Sequence, residues 1–301
     1  MKADIYQSIT DRIVQAIEAG TSPWVKPWKT VGGAPYSLTS GKPYRGVNVL
    51  LLGLEGYADP RWGTYRAITE AGGQVRKGQK ATQIVLHKPV PKKEVKEGES
   101  SSYWLLRFYS VFNGTQADGL PELPVEETRP FTPIETAEAI VNGYIWREGH
   151  GPAVGPPVTY GSNRAAYSVT KDTIQMPDPE MFVSDEAFYT TLFHEMTHST
   201  GGEKRLKRIE PALFGTDPYA QEELVAEIGA SFLAGVANFE TAGGDESAAY
   251  LGGWLKPLKN DKKFIVQAAA KAQKAADLIL GTTFEDADGP LVVDQLQAVA
   301  A

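Results

Sequence analysis

An acidic, proline-rich segment near the middle of the 301-residue chain constrains its fold more than any other feature. The segment Gly119–Pro133, GLPELPVEETRPFTP, contains four prolines and has neither helical nor strand periodicity, which is typical of a linker. A chain of this length accommodates two domains. We therefore predict a first domain over 1–118, a linker over 119–133 and a second domain over 134–301.

The two predicted domains carry net charges of opposite sign. The formal charge of −7 divides into +6 over residues 1–118 and −13 over the remainder of the chain. A basic domain and an acidic domain are expected to meet different partners, because charge steers association.

The first half is predicted to be α+β. Isoleucines spaced four residues apart, from Ile5 to Ile17, give one apolar face of an amphipathic helix. The apolar run Val47–Leu54 is compatible with either a strand or a helix. Thr82–His87 and Ser102–Phe112 are rich in β-branched and aromatic residues and predict two strands joined by an exposed hairpin loop.

The second half is predicted to be helix-rich with a small sheet. Ser184, followed by two acidic residues, is a good N-cap for a helix that runs to Ser199. Apolar periodicity predicts three further helices, over about 135–146, 219–238 and 261–280. Ala165–Gln175 has strand character. The fold class predicted for the whole chain is α+β.

The chain contains no cysteine, and this limits its chemistry. Disulfides, thiolate zinc sites, iron–sulfur clusters and cysteine nucleophiles are excluded, so any metal site must use histidine and carboxylate ligands. The first residues do not have the pattern of a signal peptide, and no run reaches the roughly 18 apolar residues of a membrane span. We expect a cytoplasmic protein with no membrane partner.

The segment TLFHEMTHSTG contains the pattern H-E-x-x-H, formed by His194, Glu195 and His198. On a helix, residues four apart lie on one face, so both imidazoles can bind one zinc ion at about 2.0–2.1 Å. Glu195, one position along, can then reach water in the open coordination position rather than the metal. The pattern predicts a zinc hydrolase.

A zinc hydrolase needs a third protein ligand, and the other histidines, His87 and His150, lie in unlike contexts. The downstream helix QEELVAEIGASFL places Glu223 and Glu227 on one face. This pattern resembles the gluzincin-type metallopeptidases, in which one Glu on a second helix binds zinc and an acid four residues later orients a ligand histidine. The resemblance implies Glu223 as the metal ligand and Glu227 as its support, with Glu227 or Glu222 as the alternative ligand.

These parts predict peptide-bond hydrolysis with one zinc ion per chain, or another divalent metal in its place. The metal lowers the pKa of bound water towards about 7, and Glu195 takes the proton and passes it to the leaving amine. The developing oxyanion also needs a protein donor. The candidate donors are Tyr167, Tyr189, Tyr219 and Arg164. The strand-like Ala165–Gln175 either holds an extended peptide or is an ordinary strand beneath the motif helix.

Four of the six tryptophans lie in the basic half, interleaved with lysines and arginines. Aromatic rings stack on unpaired bases and cations follow the phosphates, a combination typical of single-stranded DNA binding. No helix-turn-helix, zinc finger or homeodomain pattern indicates sequence-specific duplex reading. The basic run VRKGQK (75–80) either contacts phosphate or is simply solvated. The candidate DNA-binding residues are Trp24, Lys26, Trp28, Lys42, Arg45, Arg76, Lys77 and Lys80.

Six segments of the chain together resemble the ArdC-type antirestriction proteins of conjugative plasmids. They are YQSITDRIVQAIEAGTSPWVKPW, SGKPYRGVNVLLL, WGTYRAITEAGGQVRKGQKAT, YSVFNGTQADGL, FYTTLFHEMTHSTGGEKRLKR and YAQEELVAEIGASFLAG. The similarity covers nearly the whole chain, in order and in both halves.

The resemblance implies an N-terminal single-stranded DNA-binding domain, shared with plasmid TraC-type primases, joined to a zincin-like metallopeptidase domain. It also implies protection of incoming conjugative plasmid DNA, with a host restriction-system protein as the candidate substrate. The alternative is a single-stranded DNA-binding protein that shields DNA sterically and has a structural or proteolytically inactive zincin domain. A general protease with an incidental basic domain is a third interpretation, which the division of charge disfavours.

Overall fold

The computed structural model describes residues 4–20, 23, 34–57, 59–91, 102–123, 133–145, 154–209, 217–239, 241 and 248–282. Within these residues the chain forms helices and three small sheets, so the predicted α+β fold class is confirmed. Every helix within these residues is too short or too polar to cross a lipid bilayer.

The first half consists of short helices around one main sheet. In chain order its elements are α1 (Ile5–Glu18), β1 (Tyr36–Ser37), α2 (Val47–Gly53), β2 (Arg61–Gly63), α3 (Tyr65–Glu70), β3 (Gln74–Val75), β4 (Thr82–Pro91), β5 (Ser102–Asn113) and β6 (Ala117–Asp118). The main sheet has the order β1-β2-β5-β4, in which only the β1–β2 pair is parallel. Strands β3 and β6 form a separate antiparallel pair.

The second half is dominated by longer helices. Its elements are α4 (Pro133–Ile145), β7 (Val158–Thr159), β8 (Ala166–Ser168), β9 (Thr173–Gln175), α5 (Asp185–Thr200), α6 (Asp217–Ala237), α7 (Ala248–Asn260) and α8 (Phe264–Leu280). The three strands form a small sheet in the order β7-β9-β8, which leaves β8 at one edge.

Several local predictions are confirmed by the capping and pairing that the sequence indicated. Ser184 caps α5, its side chain accepting from the backbone N–H of Ala187. The ambiguous run at Val47 forms helix α2. Strands β4 and β5 pair antiparallel from Thr82 opposite Val111 onwards, while the loop that joins them lies outside the described residues.

One prediction is confirmed in a different form, and one helix was not predicted. The strand character of Ala165–Gln175 belongs to two short strands, β8 and β9, because the chain reverses between them and Asp172 adopts a positive φ of 50°. Helix α7 was not expected, since its sequence contains adjacent glycines and Pro257, which are poor helix residues.

One hydrophobic core extends through both halves of the chain. The apolar face of α1 is buried as predicted, with Ile9, Ile13 and Ile17 at 0–3% exposure, but it packs against α7 and α8 of the second half. Leu50 and Leu51 of α2 join the same cluster. The first helix is therefore part of the support on which the second half is built.

Polar contacts also join the two halves. The hydroxyl of Thr10 donates to the carbonyl of Lys262 at 2.9 Å, and Arg45 of the first half is ion-paired with Asp277 of α8. The predicted linker begins on the first half, where Arg61 donates to the carbonyl of Pro121 at 2.6 Å. Residues 124–132 of the linker lie outside the described residues, so the domain boundary at 119–133 stays a prediction.

Candidate functional site

Helix α5 carries the H-E-x-x-H residues, and α6 packs beside it. The inner side of α5 is anchored in the core by the buried residues Leu192, Phe193 and Met196. His194 and His198 are one helical turn apart and share the face that looks towards α6.

The side chains of His194, His198 and Glu223 converge on one point. The Nε2 atoms of the two histidines are 3.1 Å apart, and the Glu223 oxygens lie 3.6 Å and 3.7 Å from the Nε2 atoms of His194 and His198. Ligands at about 2.0–2.2 Å from a shared tetrahedral ion lie roughly 3.3–3.6 Å from one another. The donor set therefore fits one divalent metal.

The outward-facing ring nitrogens of both histidines meet a carboxylate. Glu227 Oε1 lies 3.7 Å from Nδ1 of His194, and Glu222 Oε1 lies 3.2 Å from Nδ1 of His198. A carboxylate behind a ligand histidine fixes the ring and its tautomer and makes the ligand more basic. The three glutamates of α6 thus divide into one that faces both imidazoles, Glu223, and two that support them.

Arg208 holds Glu222 in this supporting position. Its Nε and Nη2 atoms each contact the Glu222 carboxylate at 2.8 Å in a bidentate pair, and Nη2 also donates to the carbonyl of Thr197 at 2.8 Å. The side chain of Arg208 is only 7% exposed. A buried bidentate pair of this kind is geometrically specific.

The site is rich in negatively charged carboxylates. Burial lowers the pKa of His198, but hydrogen bonds to Glu222 and Glu223 outweigh burial and raise this pKa to about 10. Burial raises the pKa of Glu223, but the hydrogen bonds to His194 and His198 outweigh it and hold this pKa well below its usual range. Charged groups arranged in this way favour a bound cation.

Glu195 lines the same cleft as the two histidines and is bonded to the small sheet. Its carboxylate is buried, and Oε2 accepts the backbone N–H of Tyr167 on edge strand β8 at 2.7 Å. A charge-assisted bond to a backbone N–H holds the carboxylate in one orientation. The geometry makes Glu195 a neighbour of the cluster and not a member of it.

Strand β8 is fixed by a partly buried polar network. The hydroxyl of Tyr167 donates to Asp172 Oδ1 at 2.9 Å and accepts from Arg205 Nη2 at 2.9 Å, and Arg205 is ion-paired with Asp172. Arg205 also donates from Nε to the carbonyl of Ser199 at 2.6 Å. The network therefore ties the β8–β9 hairpin to the end of α5.

The ionisation of Asp172 reflects this network. Partial burial raises the pKa of Asp172, but hydrogen bonds from Arg205, Tyr167 and Lys204 outweigh burial and lower this pKa from 3.8 to about 2. The carboxylate is thus charged at all physiological pH values.

The structure separates the four predicted oxyanion donors. Tyr219 lines the cleft beside Glu223, and burial together with a hydrogen bond to Glu223 raises its pKa to about 12. Tyr167 also lines the cleft, but its hydroxyl is engaged by Asp172 and Arg205. Tyr189 donates to Glu138 outside the cleft, and Arg164 is exposed and does not line it.

The cluster opens into a cleft of 1020 Å³. Strand β8 lines this cleft with its neighbours Val169 and Thr170, and Phe264 and Lys271 of α8 line it as well. Strand β8 is an edge strand beside Glu195, and extended polypeptides add to sheet edges through backbone hydrogen bonds.

The candidate DNA-binding residues do not all lie on one described surface. Those of the Pro-rich loop, Trp24, Lys26 and Trp28, lie outside the described residues. Lys42 is half-buried in the turn after β1, and Arg45 makes the contact with Asp277 that joins the halves.

The basic turn after β3 is exposed. Arg76, Lys77 and Lys80 all face solvent, with Arg76 also bonded to Asp118 at 3.0 Å. The structure therefore brings these three predicted residues together on one surface.

Sequence reasoning missed Arg205 and Arg208. Both follow the glycine pair Gly201-Gly202 that ends α5, in the run GEKRLKR. Two arginines immediately after a metal-motif helix were a usable signal, because the acids around such a site need cationic partners. Their specific partners depend on tertiary contacts that the local sequence does not carry.

Comparisons with known proteins match both halves. A family model described as the N-terminal domain of anti-restriction factor ArdC matches residues 3–112, and one described as a zincin-like metallopeptidase matches residues 152–271. Among curated proteins, the chain is 35% identical to an Escherichia coli DNA primase TraC over 93% of this chain and 27% of the primase. It is 34% identical to the Sinorhizobium fredii protein y4eC over 91% of both chains.

Solved structures match along almost the whole chain. The metal-free crystal structure of the antirestriction protein ArdC from plasmid R388 is 38% identical, with a TM-score of 0.73 over 94% of this chain and 98% of that one. The Mn(II)-bound structure of the same protein is 37% identical, with a TM-score of 0.71 over 96% of this chain and 100% of that one. The chain spans about a quarter of the TraC primase, so the two ArdC structures are the fuller match.

Proposed function

Because this chain belongs to the ArdC family of antirestriction proteins, we propose that it protects incoming conjugative plasmid DNA from host restriction. Its first half binds single-stranded DNA, and its second half holds a divalent metal and hydrolyses peptide bonds. The substrate we propose is a protein of the host restriction system, and the place of action is the cytoplasm.

The proposed peptidase activity is supported chiefly by the arrangement of side chains on α5 and α6. His194, His198 and Glu223 present three ligand atoms within 4.8 Å of one another, while Glu195 stands beside them with its carboxylate held by β8. Three protein ligands, an open position and an adjacent carboxylate are the parts of a hydrolytic metal site. A purely structural metal site would be closed by a fourth protein ligand.

The metal we propose is zinc, one ion per chain, held by His194, His198 and Glu223. A His₂Glu donor set is one that catalytic zinc sites use, and manganese is the alternative that the Mn(II)-bound relative supports. When bound, such an ion supplies a Lewis acid that polarises a carbonyl and makes water more acidic. Glu227 and Glu222 orient the two histidines from behind.

Glu195 is the proposed proton carrier. Since Oε2 is occupied by the N–H of Tyr167, Oε1 is the oxygen that takes the proton from the attacking water and returns it to the leaving amine. The same bond to β8 keeps the carboxylate from rotating. We assign the oxyanion donor to Tyr219, because it is the candidate that lines the cleft and is not bound into the Asp172 network.

The DNA part is supported by the family and by the exposed basic surface of the first half. The solved relative from plasmid R388 is named an antirestriction protein, and the first half of this chain carries a net charge of +6. Neutralising phosphates with lysine and arginine supplies sequence-independent affinity that falls as salt rises.

A metal titration with three variants tests the donor set. His194→Ala should lose stoichiometric zinc in elemental analysis, and Glu227→Gln should keep the site but weaken metal affinity about 10- to 100-fold, because a supporting carboxylate is lost. Glu203→Gln, which changes an exposed acid in the same half, should bind metal as the wild type does. Full zinc occupancy in His194→Ala would contradict the assignment.

Glu195→Gln tests whether hydrolysis matters. The variant should keep the metal and the fold and lose peptidase activity on restriction-system proteins by about 10²–10⁴-fold, the usual contribution of a positioned base. Transfer of plasmid DNA into a restricting host should fall in parallel. If Glu195→Gln protects incoming DNA as well as the wild type does, steric shielding by the DNA-binding half is the function instead.

A further inference from the structure

We propose that an exposed surface on α3 and β3 is the path of single-stranded DNA, with Tyr65 as the ring on which a base stacks. The surface consists of Tyr65, Gln74, Arg76, Lys77 and Lys80 and is called the α3–β3 surface below. This inference rests on the proposed function, because it locates the DNA-binding site that the function requires.

Tyr65 is an exposed aromatic side chain that is nevertheless held in place. It is 51% exposed, yet its hydroxyl accepts from Gln74 Nε2 at 2.6 Å. Its ring meets the edge of Phe112 with centroids 6.4 Å apart and an interplanar angle of 73°. A ring fixed at two points with an open face can stack on a base without first losing side-chain entropy.

The cationic residues of this surface come shortly after Tyr65 in the sequence. Gln74 and Arg76 are exposed on either side of the buried Val75, so they lie on the same side of β3 about 6.6 Å apart. Residues 65–80 contain four cationic residues and one acidic residue. Aromatic stacking next to a line of cations is the arrangement that binds single strands with little sequence preference.

The backbone of the basic turn at residues 76–80 is held by hydrogen bonds. Its backbone closes through the N–H of Gln79 on the carbonyl of Arg76 at 3.3 Å, with Gly78 at a φ of +89°. The buried Gln116 fixes both ends, accepting the N–H of Arg76 at 3.0 Å and donating to the carbonyl of Lys80 at 2.9 Å. Lys77 and Lys80 therefore project from a rigid frame beside Gln74.

The acids of the surface are already paired. Glu70 pairs with Arg66 at 2.7 Å, and Asp118 pairs with Arg76 at 3.0 Å. The two lysines, Lys77 and Lys80, therefore leave the surface with a net positive charge. Because a stacked duplex hides the faces of its bases, a ring such as Tyr65 selects unpaired strands.

Fluorescence anisotropy of the full chain with labelled oligo(dT) tests the inference. Tyr65→Ala should weaken binding roughly 5- to 160-fold, the cost of about 1–3 kcal/mol for one stacked base. Tyr65→Phe keeps the ring and should retain most of the affinity. Tyr160→Ala is the matched control, since Tyr160 is 52% exposed but lies in the second half, and it should bind as the wild type does.

Salt titrations test the cations. Lys77→Gln combined with Lys80→Gln should reduce the slope of log affinity against log salt by about 1.4, which is two phosphate contacts on a single strand. Lys171→Gln with Lys207→Gln removes the same charge from exposed positions in the second half and should leave the slope unchanged. Wild-type affinity in Tyr65→Ala would overturn the α3–β3 surface and leave the proposed function standing. No binding of oligo(dT) by the wild type would overturn the proposed function itself.

Discussion

Asp172 is a residue outside the metal cluster whose protonation we expect to lower stability in acid. Its pKa is about 2 in the folded chain and near 3.8 in the unfolded chain, so its stabilising effect is complete above about pH 4 and is lost as the pH falls towards 2. The difference corresponds to about 2 kcal/mol of unfolding free energy. Urea unfolding followed from pH 5 to pH 2 should show this loss.

Asp172→Asn should flatten that part of the pH profile and lower stability at pH 7. Its partner Arg205 is only 5% exposed, so removing the carboxylate leaves a buried charge unpaired, at a cost of about 3–5 kcal/mol. Asp178→Asn changes an exposed aspartate nearby and should unfold as the wild type does. An unchanged acid profile in Asp172→Asn would contradict the role of the network.

The sequence predicted residues well wherever local spacing decided the geometry. His194, His198, Glu223 and Glu227 share helix faces by their spacing alone, and the structure brings them together; their roles at a metal stay predictions. The oxyanion donors could not be ranked, because Tyr167 and Tyr219 differ only in the tertiary partners of their hydroxyls. The contact of Arg45 with Asp277, far apart in the chain, was equally hidden from local patterns.

At the scale of elements, the close approach of α5 and α6 positions the candidate metal site. A Cβ atom built on Gly229 of α6 would lie 2.5 Å from Cγ2 of Thr197, a fully buried residue between the motif histidines on α5. Gly229→Ala should therefore push the helices apart and destabilise the fold by about 1–3 kcal/mol. It should also weaken metal affinity, since α6 carries Glu223.

Gly235→Ala provides the comparison on the same helix. Nothing lies within 4 Å of a Cβ atom at Gly235, so alanine should be neutral or stabilise α6 by up to about 1 kcal/mol. Thermal unfolding and a metal titration of both variants check the expectation. Equal metal affinity in the two variants would show that the helix spacing at Gly229 does not set the site.

Elements with clear caps and periodicity were predictable, and those with mixed signals were not. Ser184 began α5 as expected, and the i, i+4 isoleucines formed α1. Helix α7 contains Pro257 and two glycines, so propensity argued against it, but Trp254 and Leu258 are buried in the core. Burial of an apolar face overrides weak helix propensity in such cases.

For the whole molecule, the shared core makes the fold of the first half depend on the second half. The apolar face of α1 is covered by α7 and α8, so a fragment ending at residue 118 would expose Ile9, Ile13 and Ile17 to water. The first half is thus tied to the second half by packing as well as by the contacts of Thr10 and Arg45.

We therefore expect both halves to unfold in one transition, and Ile13→Ala to lower the stability of the whole chain. Ile13 is fully buried, and truncating such a residue costs about 2–5 kcal/mol. Because the proposed zinc ion would bind only the folded site, added zinc should raise the midpoint of the entire transition in calorimetry, including signals from the first half. Gln15→Ala on the exposed side of α1 should change stability by no more than about 0.5 kcal/mol. Two separate transitions, of which zinc moves only one and Ile13→Ala only the other, would mean that the halves fold independently in spite of their common core.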